Sequence, residues 1–309
     1  MKVDVSIQSY NKPEFLIHTL FNLHKYSKSH VDTVWINGDR STSGVVEKYR
    51  DLAESDALYP WKIKYRINSR RIGWWPNHVR GVRPRYLSNF RRLVRSVHNV
   101  YRGGAFHVLP EDIRYQWAIS STDKKYIFII HDDMFFHGDV LGLYMRYIQD
   151  NSTTSNEFGI VGDLGQCWRC KYKDKCSPQL IMEGHFPSPS WPESDGLVKG
   201  HKWSCRINEW CCILNVDAAR SVFEQDGIFF GNYDDSGDIG AYWFARAIAA
   251  GYRFGDPLPS AHRRAELYSH GFQGKSGHSV WLDQGAGKNV YDPSIFVKMT
   301  YQDYGYRIR

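Results

Sequence analysis

Three polar residues come directly after the most hydrophobic run of the chain, residues 126–130: they are His131, Asp132 and Asp133. Such a run predicts a central parallel strand that is buried on both faces. In open α/β sheets, ligands bind beyond the carboxyl ends of the strands. A pair of acids there is costly unless it binds a cation or takes part in catalysis. Because oxygen-rich sites suit Mg²⁺ or Mn²⁺, we expect such a cation at Asp133 and His131, with a solvated turn as the alternative.

A second acidic cluster consists of Asp234, Asp235 and Asp238, at the start of a predicted helix. Acids at a helix N-terminus commonly cap the helix or pair with its dipole, so a structural role is one interpretation. Three acids within five residues exceed what capping needs. One of them could act as a general base toward a substrate hydroxyl.

The polar, glycine-containing tail of the chain carries three histidines: His262, His270 and His278. A single histidine in such a segment is more often a surface residue than a ligand. Three histidines within 17 residues favour at least one metal ligand among them, because neutral imidazole is the commonest metal-binding side chain.

All six cysteines lie between positions 167 and 212. Clustered cysteines in a chain without a visible secretion signal suggest a metal site more than disulfides. Four thiolates suffice for a structural tetrahedral Zn²⁺, and disulfides or unligated thiols are the alternatives. The ligands that we expect are Cys167, Cys170, Cys176 and either Cys205 or Cys211. If Cys211 lies on a strand, the adjacent Cys212 points to the opposite face as a buried free thiol.

The positive charge of the chain is concentrated in one segment. Residues 57–110 contain no Asp or Glu but twelve Lys and Arg, whereas the whole chain has a net charge of +7. Such a segment attracts a nucleic acid, an anionic membrane or a phosphorylated small molecule, and a solvated basic surface is the alternative. The composition, 42% apolar and 24% charged, excludes wholesale disorder. No apolar run approaches the ~18–20 residues of a membrane span, so we expect a soluble, cytoplasmic protein.

Strand-like and helix-like patterns alternate along the chain. Residues 3–9 alternate and are β-branched, which predicts a first strand, and Pro13 suits the first turn of a helix. The other predicted elements are strands at 31–36, 61–67, 126–130 and 211–216, and helices at 86–100, 111–121, 217–223 and 238–250. This order predicts an α/β fold with βαβ units and a mostly parallel sheet. Residues 164–206 predict an irregular loop, and residues 255–309 show no clear period.

Four segments together resemble the family 2 glycosyltransferases of the GT-A type. These segments are 5–11 (Val-Ser-Ile-Gln-Ser-Tyr-Asn), 37–42 (Asn-Gly-Asp-Arg-Ser-Thr), 131–133 at the position of the family's Asp-x-Asp motif, and 234–240 at its acidic acceptor-side motif. The chain departs from the family pattern at His131, which replaces the first Asp and leaves Asp133 as the principal metal ligand. The acidic motif also has one extra residue before Asp238.

The resemblance covers about residues 3–255 and implies an α/β, GT-A (Rossmann-like) fold, with a mostly parallel sheet flanked by helices and a Cys-rich inserted loop region. We accordingly predict a GT-A-like nucleotide-sugar and acceptor domain at residues 1–255. It includes an Arg-rich insertion at about 70–110 and a Cys-rich insertion at about 164–212. Residues 256–309 are predicted to form a C-terminal extension that completes the active site.

The resemblance also implies an activity, the metal-dependent transfer of a sugar from a nucleotide-sugar donor, with a UDP-sugar favoured. The acceptor is expected to be a hydroxyl of a glycan or of a lipid-linked molecule. The residues expected to contact the nucleotide are Ser9, Asn11, Asp39, Arg70, Arg71 and Asp132. The base that deprotonates the acceptor is expected to be Asp235, with Asp234 and Asp238 as the next candidates, and this assignment implies inversion.

The main alternative is a basic, zinc-containing nucleic-acid-binding protein, because the acid-free segment and the cysteines suit one. The acidic clusters would repel a phosphate backbone, so we expect no nucleic-acid partner. A nucleotidyltransferase fits the sequence less well as a third alternative, since no Gly- and Lys-rich phosphate loop follows the first strand. The basic segment instead favours reversible association with an anionic membrane, where each cation contributes roughly 1 kcal/mol.

Metal analysis tests the cysteine prediction. We expect one Zn²⁺ per chain without a catalytic role, since ordering a polar, Pro-rich loop costs about 1–2 kcal/mol per residue. A structural zinc site contributes ~10–16 kcal/mol and could offset much of that cost. Elemental analysis of the purified protein measures the zinc, and thiol titration with and without reductant is its control. A zinc-free protein with fewer free thiols before reduction than after would instead establish disulfides and an oxidising compartment.

Overall fold

The computed structural model describes residues 2–39, 41–68, 109–153, 157–165, 206–231, 239–271 and 291–309. The strands in this part of the chain are β1 (Val3–Ser9), β2 (Val31–Gly38), β3 (Lys62–Ile67), β4 (Tyr126–His131), β5 (Met134–Phe136), β6 (Phe158–Gly165), β7 (Arg206–Asn215), β8 (Arg253–Gly255) and β9 (Tyr268–His270). The α-helices are α1 (Pro13–Ser27), α2 (Ser43–Glu54), α3 (Gln116–Ser121), α4 (Val140–Asn151), α5 (Val216–Asp226), α6 (Ala241–Ala249), α7 (Ala261–Leu267) and α8 (Pro293–Tyr304).

The main sheet has the strand order β3-β2-β1-β4-β7-β6-β8 among the described residues. β3, β2, β1 and β4 are parallel to one another, β7 is antiparallel to both β4 and β6, and β8 is parallel to β6. The predicted fold class, a mostly parallel sheet flanked by helices, is therefore confirmed. β4 is central as predicted, although its partner on one side is antiparallel.

The two faces of the sheet are covered by different helices. Along β4, Phe128 and Ile130 pack into one apolar cluster, and Ile127 and Ile129 pack into the other, as the alternation of side chains in a strand requires. The first cluster includes buried residues of α1, α2 and α4, and the second includes those of α3, α5 and α6. β4 is thus buried on both faces, and its polar end at residues 131–133 lies where the strand leaves this core.

Several predicted boundaries differ from the structure. The helix expected from Asp238 begins at Ala241, because Gly240 precedes it with a left-handed φ of 77° that a helical residue cannot have. The helix expected over 111–121 is reduced to α3, since Tyr115 has a left-handed φ of 65°. The helix expected at 86–100 and most of the irregular loop expected at 164–206 lie outside the described residues.

The tail that showed no clear period contains α7, β9 and α8. α8 packs along α1, with the rings of Phe15 and Phe296 stacked at 4.0 Å and those of Phe21 and Tyr304 at 5.4 Å. Neither helix could bury its aromatic side alone, so the two cover each other. No helix in the described ranges has both the length and the apolar character to cross a membrane.

A small second sheet joins the tail to the end of β4. β5 and β9 are antiparallel, with Met134 opposite His270. The backbone N–H of Gly271 also donates a hydrogen bond to the carbonyl oxygen of Asp133 at 2.6 Å. Residues far apart in sequence are therefore held side by side at the carboxyl end of the central strand.

Candidate metal centre

Three side chains from two segments meet beyond β4: His131, Asp133 and His270. Nε2 of His270 is 3.1 Å from Nδ1 of His131 and 3.2 Å from Oδ1 of Asp133, and Nδ1 and Oδ1 are 3.9 Å apart. Adjacent ligands of an octahedral ion at ~2.1 Å lie ~3.0 Å from each other, so the three atoms nearly fit one cation. Two imidazole nitrogens and one carboxylate oxygen form a donor set that divalent transition metals accept.

The Oδ1 atom of Asp133 supports the same interpretation. This oxygen is buried and accepts no hydrogen bond from the described part of the chain. A buried carboxylate oxygen without a donor is costly unless something else satisfies it. A cation between Asp133 and the two histidines would satisfy it, so the residues present fit a divalent metal.

Lys12 anchors both carboxylates from the start of α1. Its Nζ lies 2.9 Å from Oδ1 of Asp132 and 2.9 Å from Oδ2 of Asp133, and only 2% of its side chain is exposed. The hydroxyl of Ser9 donates to the other oxygen of Asp132 at 2.8 Å. Asn11, with a left-handed φ of 50°, turns the chain between β1 and Lys12. The contact with Lys12 uses Oδ2 of Asp133 and leaves Oδ1 facing the histidines.

The protonation states at this cluster suit metal binding. Loss of solvent around the ring, together with the neighbouring His270, lowers the pKa of His131 to about 3. Burial alone would raise the pKa of Asp133, but Lys12 and then the two histidines outweigh it and hold that pKa below its ordinary value. Burial likewise opposes the ammonium of Lys12, whose pKa the two carboxylates nevertheless raise. A neutral imidazole and an ionised carboxylate are the forms that ligate metals.

A buried ion pair lies behind His131. Oε1 of Glu209 is 3.8 Å from Nε2 of His131, and Nε and Nη2 of Arg206 contact the Oε2 atom of Glu209 at 3.2 and 3.1 Å. Sequence analysis missed Glu209. The sequence did mark it, because an acidic residue stands at the start of the otherwise apolar run 209–214 and Glu is rarely buried without a partner.

The expected nucleotide contacts that belong to the described part of the chain lie at or just beyond the carboxyl ends of neighbouring strands. The N–H of Asp39 donates to the carbonyl of Ser9 at 2.7 Å, and the N–H of Thr42 donates to Oδ1 of Asn11 at 3.2 Å. Asn68, which sequence analysis did not single out, continues this edge, because its N–H donates to the carbonyl of Gly38 at 2.8 Å. The ends of β1, β2 and β3 thus form a polar edge beside the metal cluster.

Two of the predicted metal ligands lie elsewhere. His262 is 86% exposed on α7 and pairs with Glu266 at 3.1 Å, so the structure does not bring it to the cluster. Cys211 is fully buried in the apolar core, where burial raises the pKa of its thiol and so opposes the thiolate that zinc requires. The structure therefore disfavours Cys211 as a fourth zinc ligand. Cys212 packs into the opposite cluster from Cys211, as predicted.

The remaining predicted site residues lie outside the described residues. They are Arg70, Arg71, Cys167, Cys170, Cys176, Cys205, Asp234, Asp235, Asp238 and His278.

Comparison with solved structures identifies the fold. The mannosyltransferase PcManGT from Pyrobaculum calidifontis, in complex with GDP-Man and Mn²⁺, aligns over 97% of this chain and 69% of its own, with a TM-score of 0.51 and 12% identity. Core-mannan synthase A from Aspergillus fumigatus, in its Mn/GDP form, aligns over 98% of this chain and 85% of its own, with a TM-score of 0.43 and 13% identity. No protein-family model and no curated protein matches the chain. The chain has the GT-A fold of glycosyltransferases.

Replacement of Gly271 by Ala tests how the centre is assembled. A Cβ at Gly271 would collide with the ring of Phe15, which is itself stacked on Phe296 and cannot easily move. We expect Gly271→Ala to displace His270 and weaken Mn²⁺ binding by about 10–100-fold, the loss typical when a ligand's support is removed. Titration of free Mn²⁺ by electron paramagnetic resonance measures the affinity.

The control is Gly44→Ala, because a Cβ at Gly44 meets no other atom within 4 Å. We expect its Mn²⁺ affinity to equal that of the parent and its thermal midpoint to be at least as high, because Ala is the better helix former in α2. A folded Gly271→Ala protein that binds Mn²⁺ as tightly as the parent would contradict the proposed role of β9 in carrying a ligand.

Proposed function

We propose that this chain is a metal-dependent glycosyltransferase that uses a nucleotide-sugar donor. The observation that carries the proposal is the cluster of His131, Asp133 and His270 at the carboxyl end of the central strand of a GT-A fold. A similar solved structure supports it, since the mannosyltransferase PcManGT was solved with GDP-Man and Mn²⁺. Bound at this cluster, a divalent cation would offset the charge on the departing nucleoside diphosphate.

The donor set favours Mn²⁺ over Mg²⁺. Mg²⁺ prefers oxygen ligands and dehydrates reluctantly, whereas imidazole suits transition metals. Two of the three side chains in the cluster, His131 and His270, offer nitrogen. We therefore propose Mn²⁺ as the working ion, with the carboxylate of Asp133 as its oxygen ligand.

We propose that the nucleoside binds along the polar edge formed by Ser9, Asn11 and Asp39, beside the cluster. Arg70 or Arg71 would approach the diphosphate. Asp235 would take the proton from the acceptor hydroxyl, whose oxygen then bonds to the anomeric carbon as the bond to the diphosphate breaks. Attack from the face opposite the leaving group inverts the anomeric centre. A UDP-sugar and a GDP-sugar are the donors to compare first.

A nucleotide-sugar screen tests the metal and the donor together. We expect at least one donor to raise the thermal midpoint only when Mn²⁺ is present, because metal and diphosphate bind to the same folded site. Asp133→Ala should abolish this shift and reduce transfer by more than about 100-fold, since it removes a ligand itself rather than a supporting group.

The matched control is Asp150→Ala, which removes a carboxylate from an exposed position on α4. It should retain both the Mn²⁺-dependent shift and the transfer. Unchanged turnover in Asp133→Ala would refute the metal role of that residue. Tight, strongly salt-dependent binding to random oligonucleotides without any donor-induced shift would favour the nucleic-acid-binding alternative.

We further propose that the acceptor is a lipid-linked or otherwise anionic glycan, reached by reversible association of the basic segment 57–110 with a membrane. The support is compositional, since the segment has twelve cations and no acid.

Vesicle binding tests the membrane proposal. Since each cation near an anionic surface contributes roughly 1 kcal/mol, we expect strong retention on anionic vesicles at low salt and release at high salt. Co-sedimentation measures the bound fraction, and uncharged vesicles are the control. Binding that persists at high salt, or none at low salt, would contradict an electrostatic association.

A further inference from the structure

The two ring nitrogens of His131 face different partners. Nδ1 lies in the metal cluster, 3.1 Å from Nε2 of His270 and 3.9 Å from Oδ1 of Asp133. Nε2 faces away from the cluster, toward Oε1 of Glu209 at 3.8 Å. A single imidazole therefore connects the candidate metal centre to a buried carboxylate on β7.

Glu209 is held in place by its other oxygen. Both Nε and Nη2 of Arg206 contact Oε2, at 3.2 and 3.1 Å, and the two side chains are almost completely buried. A guanidinium only donates hydrogen bonds, so it keeps an acceptor oxygen turned toward it. Oε1 is thereby directed to His131, and Glu209 cannot easily rotate away.

The position of one proton decides whether His131 can bind a metal. A neutral imidazole has one N–H, and the other nitrogen offers its lone pair. With the proton on Nε2, Nδ1 can ligate a cation. With the proton on Nδ1, the ring can instead donate to Nε2 of His270, which is already at hydrogen-bond distance, and both nitrogens are then lost to the metal.

We propose that Glu209 is a positioning residue: its Oε1 accepts a hydrogen bond from Nε2–H of His131, which holds the proton on Nε2 and keeps Nδ1 open for the divalent cation. The inference rests on the metal centre of the proposed function. A carboxylate that orients a metal-binding histidine is a common partner in metal sites. Nε2 of His131 and Oε1 of Glu209 must approach by roughly 0.8 Å from their present separation of 3.8 Å to form a hydrogen bond.

Glu209→Gln is the variant that tests the proposal. Arg206 requires an acceptor, so the amide oxygen turns toward Arg206 and the amide NH₂ faces His131. Nε2 then becomes the acceptor, and the proton moves to Nδ1. We expect Mn²⁺ binding, measured by electron paramagnetic resonance of free Mn²⁺, to weaken by about 10–100-fold. Glu224→Gln, at an exposed position on α5, is the matched control.

A second measurement separates the proton position from the loss of charge. Two-bond ¹⁵N–¹H correlation spectra of the metal-free protein labelled in histidine report which ring nitrogen is protonated, and His131→Asn assigns the signal. We expect an Nε2–H pattern for His131 in the parent and in Glu224→Gln, and an Nδ1–H pattern in Glu209→Gln. The thermal midpoint without metal shows whether each variant is folded.

Three results would overturn the inference. The inference would be wrong if Glu209→Gln bound Mn²⁺ with an affinity within about twofold of that of the parent. If this variant also lost transfer activity, Glu209 would instead act on the substrate. If Glu209→Gln bound Mn²⁺ weakly but kept the Nε2–H pattern of His131, Glu209 would act only through its negative charge and not by fixing the proton. A parent protein that binds no Mn²⁺ would refute the metal centre itself, and this inference with it.

Discussion

The rest of the candidate centre depends on one interaction, the contact of the Lys12 ammonium group with two buried carboxylates. The ammonium group comes from the start of α1 and contacts a carboxylate oxygen of both Asp132 and Asp133, at the end of β4. Two adjacent carboxylates buried without a counter-charge would each cost several kcal/mol. Removing one partner of a buried ion pair typically costs about 3–5 kcal/mol. Lys12 therefore makes it possible to place two buried acids at the carboxyl end of the central strand.

The same contact sets the charge of the centre. Counted as one ammonium and two ionised carboxylates, Lys12, Asp132 and Asp133 carry one formal negative charge. A divalent cation would reverse the sign, so that the centre would attract an anion only after the cation has bound. The neighbouring pair of Arg206 and Glu209 adds no net charge. This ordering suits the proposed nucleotide-sugar donor, whose diphosphate would bind after the metal.

Some of the architecture could be predicted from the sequence because local patterns determine it. β1 and the buried strand before His131 follow from alternation and from apolar runs, and both were located correctly. The local pattern predicted the start of α6 too early, because it does not show the left-handed φ of Gly240. It also gave no helix in the tail, where the aromatic residues of α8 are covered only by packing on α1. Those two structures depend on contacts between distant residues.

The residues of the candidate site likewise could be predicted only in part from local sequence patterns. The triplet 131–133 stood out by its place after a strand, but no local feature separates His270 from His262, since only the pairing of β9 with β5 selects one of them. Glu209 was missed because a single acid in a strand gives no sign of which residue it faces. Its partner, His131, is distant in sequence and is adjacent only in the folded sheet.

The packing of α8 on α1 has a consequence for how the protein is made. His18 and Thr300 are in contact although 282 positions separate them. At about 5–20 residues per second, a ribosome needs roughly 15–55 s to cover that distance. During this time Phe15 and Phe21 have emerged without the partners that later cover them. In the nascent chain, α1 therefore presents an uncovered aromatic surface to chaperones until α8 has been synthesised.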